Sequence, residues 1–331
     1  MGGDKGPKVV VPGAIDAILA QRGGAKLLLV GREEEIRPLV GGIDPALVEI
    51  VHASEIIDMH ESPATAIRRK KDASITVALR LVREGRADAM VSAGNTGAVV
   101  ASSLLTIGRL HGVSRPAIAT LVPNKRKGAV ILDVGANHEC TPKNLVQFAI
   151  MGSVFAEHHL GIERPRVGLL NIGEERSKGN ELVRDSYEFL ERDTRVNFVG
   201  NVEGRDVFDG AADVVVCDGF VGNVILKFSE SIYSFLSYLV KDEIRRGVLA
   251  KAGALFMTPA FRSIRAQLDY AEYGGAPLLG VKGVVIISHG KSSRRAIANA
   301  VLAAAKSINA GLNRRIEERF ATTVEHAAGV S

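Results

Sequence analysis

Two stretches of this chain set glycines and short polar side chains where backbone groups would hold an anion. Ser92-Ala93-Gly94-Asn95-Thr96-Gly97 and Cys217-Asp218-Gly219-Phe220-Val221-Gly222-Asn223 each follow an apolar run, and residues 87–99 align on residues 212–224 without a gap. A glycine-bracketed turn between a strand and a helix frees backbone N–H groups and presents the positive end of the helix dipole. That suits a phosphate or a developing oxyanion. The same grammar recurs at Asp133-Val134-Gly135-Ala136-Asn137 and at Asn171-Ile172-Gly173-Glu174-Glu175, continuing to Lys178-Gly179-Asn180-Glu181. Lys178 offers a cation there and Asn180 a helix cap. The run Gly283–Ile287 leads into Ser288-His289-Gly290-Lys291-Ser292-Ser293. Val285 stands where a P-loop needs its first glycine, so this is a strand end presenting His289, Lys291, Ser292 and Ser293 as a weak anion site.

Other chemistries find little support. Neither repeated turn has the G-x-G-x-x-G spacing of a dinucleotide site, and the chain contains no G-x-S-x-G and no H-E-x-x-H. Cys140 follows His138 and Glu139, but sequence neighbours seldom form a nucleophile–base pair. No metal constellation is visible. The expectation is an enzyme that works without cofactor or metal.

The elements that must position these turns are alternating strands and helices. Helices are predicted over 13–22, 33–40, 75–83, 97–107, 144–158, 181–191 and 222–240, with strands at 26–30, 48–51, 89–91, 117–122, 129–134 and 167–172. The stretch His52–Lys71, with Pro63 and the cluster Arg68, Arg69, Lys70, Lys71, reads as a loop. Pro123-Asn124-Lys125-Arg126-Lys127-Gly128 reads as a hairpin turn. The glycine-rich opening Met1–Pro7 has no strand before it, and one is expected upstream. Four strands ending in Gly/Asn/Asp turns predict one crevice along one edge of a mostly parallel sheet, where open α/β sheets bind ligands.

No Pro/Gly/Ser linker divides the 331 residues, so one α/β/α domain over 1–331 is expected, with an excursion at 241–275. That excursion interleaves Val248, Leu249, Leu255, Phe256, Met257, Phe261 and Ile264 with Lys241, Arg245, Arg246, Lys251, Arg262 and Arg265. It suits an amphipathic tip on an anionic bilayer, or a helical hairpin at a dimer interface. The two cysteines fit a reducing cytoplasm. A formal net charge of +5 permits an acidic partner or an anionic membrane, and no nucleic acid is expected.

At these motifs the chain resembles the bacterial phosphate acyltransferases of phospholipid synthesis. The resemblance is carried by Met1-Gly2-Gly3-Asp4-x-Gly6-Pro7, Ser92–Ala98, Asp133–Asn137, Asn171–Glu175 with Lys178-Gly179-Asn180, Cys217–Asn223, Gly274–Gly280 and His289–Ser292. It implies a three-layer α/β/α sandwich similar to phosphotransacetylases and isopropylmalate dehydrogenases. It implies transfer of a long acyl chain from an acyl-carrier-protein thioester to inorganic phosphate, the acyl phosphate then serving a membrane glycerol-3-phosphate acyltransferase. It also implies a homodimer, cytoplasmic and in peripheral contact with membrane. The family pattern departs around Cys140, so no phosphate-binding lysine is assigned there.

On that resemblance Asn95, Thr96 and the Gly94–Gly97 backbone hold phosphate or oxyanion, and Lys178 balances charge. Asn137, Asn180, Asn201 and Asn223 line the same crevice, with Glu174 and His289 beside them, while Asp4 and Asp218 orient these groups. Arg68–Lys71 and Lys125-Arg126-Lys127 would face the acidic carrier protein. Two alternatives stay open: a phosphotransacylase acting on acyl-CoA, and a non-catalytic membrane-peripheral scaffold of lipid synthesis. An NAD-dependent dehydrogenase is more distant.

Overall fold

A computed structural model describes residues 1–21, 24–268 and 274–328. The first helix, α1 (Pro7–Ala20), starts earlier than periodicity predicts because Pro7 takes the first helical positions, where a missing N–H costs nothing. Strand β1 (Leu27–Gly31), helix α2 (Glu33–Val40) and strand β2 (Val48–His52) follow, and β1 pairs in parallel with β2 as a separate two-stranded sheet. The stretch read as loop before residue 71 holds a helix, α3 (Pro63–Arg69), again opened by a proline. Its seven residues are too few for an apolar period to show.

Helix α4 (Ser74–Arg83), strand β3 (Ala89–Ser92) and helix α5 (Thr96–Thr106) lie where predicted. Strands β4 (Ala117–Val122) and β5 (Ala129–Leu132) form the predicted hairpin, Val122 opposite Ala129. Then come α6 (Pro142–His159), β6 (Arg166–Leu170), α7 (Glu181–Arg192), β7 (Asn197–Val202), the unpredicted short α8 (Gly204–Asp209) and β8 (Val214–Val216). The excursion is helical: α9 (Gly219–Arg246) packs against α10 (Val248–Leu268). Residues 269–273 of the predicted excursion, and the side chains of Val248 and Arg265, lie outside the described part. The chain returns through β9 (Ala276–Leu279), β10 (Val284–Ile287), α11 (Arg294–Asn309) and α12 (Leu312–Ala328).

The larger sheet has eight strands in the order β3-β10-β9-β4-β5-β8-β6-β7. Side chains alternate faces, so Val130 and Leu132 of β5 pack with Phe148 and Met151 of α6 and Ile316 of α12, while Ile131 joins the layer holding Ala98 and Val99 of α5. Helices thus cover both faces, the three-layer arrangement expected. Direction is the less obvious feature. Strand β3 is parallel to β10, and β5, β8, β6 and β7 are parallel among themselves. Between them β10–β9, β9–β4 and β4–β5 are all antiparallel. Three reversals leave β3, β10 and β4 running one way and β9, β5, β8, β6 and β7 the other.

Helix α6 ends on two histidines that tie stability to pH. His159 stacks on Phe155 with ring centroids 4.2 Å apart, and neither His159 Nδ1 nor His158 Nε2 has a hydrogen-bond partner among the described residues. Burial, with Lys306 nearby, pushes the His159 pKa from 6.5 down to about 4, and burial also lowers that of His158. A histidine whose folded pKa is depressed stabilises the fold fully above its unfolded pKa and loses that contribution as pH falls towards the folded value. Stability is therefore expected to drop between about pH 6.5 and 4, by about 3 kcal/mol from His159. Urea melts of His159→Gln against the parent chain across that range check this, since the variant should lose the His159 share of the slope.

Candidate functional site

Where β3 gives way to α5, the sequence leaves backbone donors open. Asn95 caps α5, its Oδ1 accepting from the Ala98 N–H at 3.0 Å. Its amide nitrogen donates to the carbonyls of Asp58, Met59 and Glu61 at 3.1–3.2 Å. The Asn95 side chain is thus buried and fully spent on fixing the turn. The backbone N–H groups of Asn95, Thr96 and Gly97 have no partner among the described residues, and Thr96 and Gly97 are exposed. A Cβ on Gly97 would sit 2.7 Å from Pro63 Cγ, so glycine lets the start of α3 close over the turn.

Two loops flank this turn. A Cβ on Gly2 would lie 2.3 Å from the Ile57 carbonyl oxygen, and one on Gly3 would lie 2.7 Å from that of Ala93. Only glycines let the opening loop nest against the end of β3. This brings the Asp4 carboxylate over Gly290, about 3.2 Å from where a Cβ there would stand. On the other side β10 is paired in register with β3, and the Ser288 N–H donates to the Ser92 carbonyl at 2.8 Å. His289 Nδ1 then accepts from the Lys291 N–H at 3.0 Å, which fixes the turn that presents Lys291.

The second copy of the repeat is built alike but closed. Asp218 stands where the first copy has Ala93. Its carboxylate accepts from the Phe220 and Val221 N–H groups, while the Gly219 and Gly222 N–H groups donate to the Asn137 and Asp218 carbonyls. The first turn of α9 therefore has no donor left for an anion. Its glycines serve packing: a Cβ on Gly222 would fall 1.9 Å from the Asp133 carbonyl oxygen.

Asp133 organises that junction. It is fully buried, and its carboxylate accepts from the N–H groups of Ile118, Gly135, Ala136 and Asn137 and from Asn137 Nδ2, at 2.7–3.1 Å. Burial pushes its pKa up while these donors pull it back. In the sequence Asp133 stands in a motif with no role assigned to it, and its only cue is an aspartate at a strand end two residues before a glycine. Nearby, burial and the Asp133 charge push the Cys140 thiol up to about 12, and burial raises that of Cys217. Neither is a thiolate nucleophile.

The remaining predicted residues gather at the carboxyl ends of β5, β8, β6 and β7. Asn137 Nδ2 also donates to the Pro116 carbonyl at 2.7 Å, Asn201 Nδ2 to that of Glu175 at 3.1 Å, and Asn171 Nδ2 to that of Lys178 at 3.2 Å. Asn180 caps α7 by accepting from the Val183 N–H, as expected. Asn223 lies against Gly135, Glu174 pairs loosely with Arg205, and the Lys178 side chain is exposed. The expectation of one shared crevice is corrected here. Asp4, Gly94–Gly97 and His289 sit at the carboxyl ends of β3 and β10, whereas Asn137, Glu174, Lys178, Asn180, Asn201, Asp218 and Asn223 sit at strand ends on the opposite edge. The antiparallel strands β9 and β4 are the reason.

Among solved structures the fold resembles a phosphotransacetylase from Streptococcus pyogenes, with a TM-score of 0.62 and 19% identity over 92% of this chain and 93% of that one. It also resembles a branched-chain phosphotransacylase from Enterococcus faecalis, with a TM-score of 0.54 and 14% identity over 91% and 98% of the two chains. The architecture is that of the phosphotransacetylase class. Residues 1–315 match the family described as fatty acid synthesis protein. A phosphate acyltransferase of Heliobacterium modesticaldum is 54% identical over 328 residues, covering 98% of this chain and 97% of its own. One of Nitratidesulfovibrio vulgaris is 50% identical over 327 residues, covering 98% and 94%. The chain belongs to the phosphate acyltransferase family and is an acyltransferase.

Proposed function

We propose that the chain transfers a long-chain acyl group from an acyl-carrier-protein thioester to inorganic phosphate, releasing acyl phosphate and the carrier thiol. The observation that carries this reading is the open α5 turn, three consecutive N–H groups without partners among the described residues, in a family named for acyl transfer to phosphate. Phosphate needs no activated serine or cysteine. One of its oxygens attacks the thioester carbonyl, the tetrahedral oxyanion collapses, the C–S bond breaks, and the proton of the monohydrogen phosphate leaves with the thiol. Positioning supplies up to about 7–11 kcal/mol in ideal intramolecular cases. A single oxyanion donor is worth about 2.7–4 kcal/mol. Thr96 and the Asn95–Gly97 N–H groups are assigned to phosphate or oxyanion, and Asn95 acts by holding the turn.

Acidic carrier protein fits the same edge. Helix α3 closes on the α5 turn and ends with Arg68, Arg69 and Lys71 exposed, and the β4–β5 hairpin turn presents Lys127 there. Lys70 and Lys125 leave the predicted patch, being paired with Glu61 and Asp209. Reversing Arg68 and Arg69 together to glutamate is expected to weaken carrier binding and flatten its salt dependence, measured by titration at two ionic strengths.

Helix α9 carries an unpartnered apolar face, Phe220, Val224, Phe228, Ile232 and Phe235, that suits a second copy of the chain. On α10, Leu249 and Phe256 are 90% and 85% exposed near the exposed Lys251, which suits peripheral contact with anionic membrane. No described helix is long and apolar enough to cross a membrane.

The test is hydroxylamine trapping of acyl phosphate from long-chain acyl-carrier protein and inorganic phosphate, with acyl-CoA run in parallel. Phosphate-dependent product from the carrier thioester is expected. Product from acyl-CoA alone would make the chain a phosphotransacylase.

A further inference from the structure

We infer that Asn201 is a positioning residue of the transfer reaction: buried beneath the turn that follows β6, it sets the backbone from which Lys178 projects. This rests on the acyl-transfer reading above and on the charge-balancing part that the family resemblance implies for Lys178.

A bulge in β7 brings Asn201 to that turn. Val167 of β6 stands opposite Phe198 and Gly168 opposite Gly200, so Val199 is an extra residue. Gly200 takes a φ of +100°, which favours glycine. In an unbroken strand Phe198 and Val202 would share a face. Here Phe198 packs against the layer of α6, whereas Val202 joins the layer of α5. The shifted phase turns Asn201 to the α6 face, opposite Leu169 of β6. Asn171, two residues beyond Leu169, shares that face, and its N–H donates to the Val202 carbonyl at 2.9 Å.

The two asparagines hold Lys178 from both ends of its backbone. The Glu175 carbonyl accepts from Asn201 Nδ2 and from the Lys178 N–H, each at 3.1 Å. The Lys178 carbonyl accepts from Asn171 Nδ2 at 3.2 Å. Gly179 follows with a φ of +89°, and a Cβ there would lie 2.5 Å from Asn171 Oδ1, so the chain closes on that amide directly after the lysine. Asn171 and Asn201 are both more than nine-tenths buried. The Lys178 side chain is exposed and makes no hydrogen bond or ion pair among the described residues. Its cationic neighbours are committed: Arg176 pairs with Glu191, Arg205 with Glu203, and Arg184 donates to the Gly179 carbonyl.

A fixed backbone under a free ammonium suits a group whose placement decides the rate. The fold alone gives little reason for an amide at this position. Asn201 Oδ1 is buried without a donor, which costs stability, and an apolar side chain of the same shape would avoid that cost. The donor Nδ2 is what the turn uses.

The experiment is a double-mutant cycle on the full chain: the parent, Asn201→Leu, Lys178→Ala and the double variant. Each is followed by steady-state kinetics against inorganic phosphate, with long-chain acyl-carrier protein saturating, and by a thermal melt. Leucine keeps the forked shape of asparagine and removes both amide atoms. Asn201→Leu is expected to lower kcat/KM for phosphate by about tenfold to a hundredfold at a melting temperature close to the parent's. In the Lys178→Ala background the same substitution should cost no more than about twofold, because the lysine it positions is gone. A structural role alone would lower the melting temperature and act equally in both backgrounds. Parental turnover in Asn201→Leu or in Lys178→Ala, or the same loss in both backgrounds, overturns the assignment and leaves the acyl-transfer reading intact. If Asn201→Leu does not fold, Asn201→Asp, which keeps the size and loses the donor, takes its place in the cycle. A parent chain that forms no acyl phosphate overturns the acyl-transfer reading itself, and this assignment with it.

Discussion

Thr96→Asp is expected to cut phosphate-dependent turnover by about a hundredfold to a thousandfold while leaving the protein as stable as before or slightly more so. The two effects have opposite signs because they share one cause. Thr96 is exposed at the first position of α5, beside N–H groups that lack partners. A carboxylate there satisfies those donors and the helix dipole, worth about 0.3–1 kcal/mol to the fold. The same carboxylate occupies and repels the place of the phosphate. The second copy shows a carboxylate taking such donors, Asp218 (aligned with Ala93) accepting from the Phe220 and Val221 N–H groups at the start of α9. Kinetics against phosphate alongside a thermal melt check the prediction. Near-normal turnover in a folded Thr96→Asp protein would remove the α5 turn from the mechanism.

Asp133→Ala is expected to destabilise the fold by about 4 kcal/mol or more, enough to abolish soluble expression in a chain of ordinary stability. Removing the carboxylate leaves five hydrogen-bond donors, from Ile118, Gly135, Ala136 and Asn137, without their acceptor in a fully buried site. Each orphaned donor costs about 1–3 kcal/mol, reduced where the turn relaxes to reach water. The damage spreads because β5, the start of β4 and the first turn of α9 meet at this residue. Packing there is close enough that Gly222 admits no side chain at all. Chemical denaturation of Asp133→Ala against Asp133→Asn measures it. Asparagine keeps one acceptor oxygen and should retain part of the stability. Equal stability of the alanine variant and the parent would show that the five bonds are replaceable.

Much of this molecule is written locally. The apolar runs ending in Gly/Asn/Asp turns mark the strands, and α2 appears over Glu33–Val40 as its pattern predicts. The hairpin turn at Pro123–Gly128 and the α7 cap Asn180 are equally legible, because a turn or a cap is decided within a few residues. Helices α3 and α8 were missed because seven and six residues are fewer than two apolar repeats.

Motif order and the strand–turn pattern were therefore enough for the class of fold and the family. Which of the polar turns share an edge was settled by strand pairing. Strands β3, β5, β6 and β8 end in the same kind of turn whichever way they point, and direction is set by pairing between segments as distant as β9 and β4, Ala117 opposite Leu279. Those hydrogen bonds join backbone to backbone and leave no mark on side-chain pattern. The antiparallel pairings between β10 and β5 put Lys178 and the α5 turn at opposite strand ends. A reading along the chain sees both turns after apolar strands, and has no physical means of telling their directions apart.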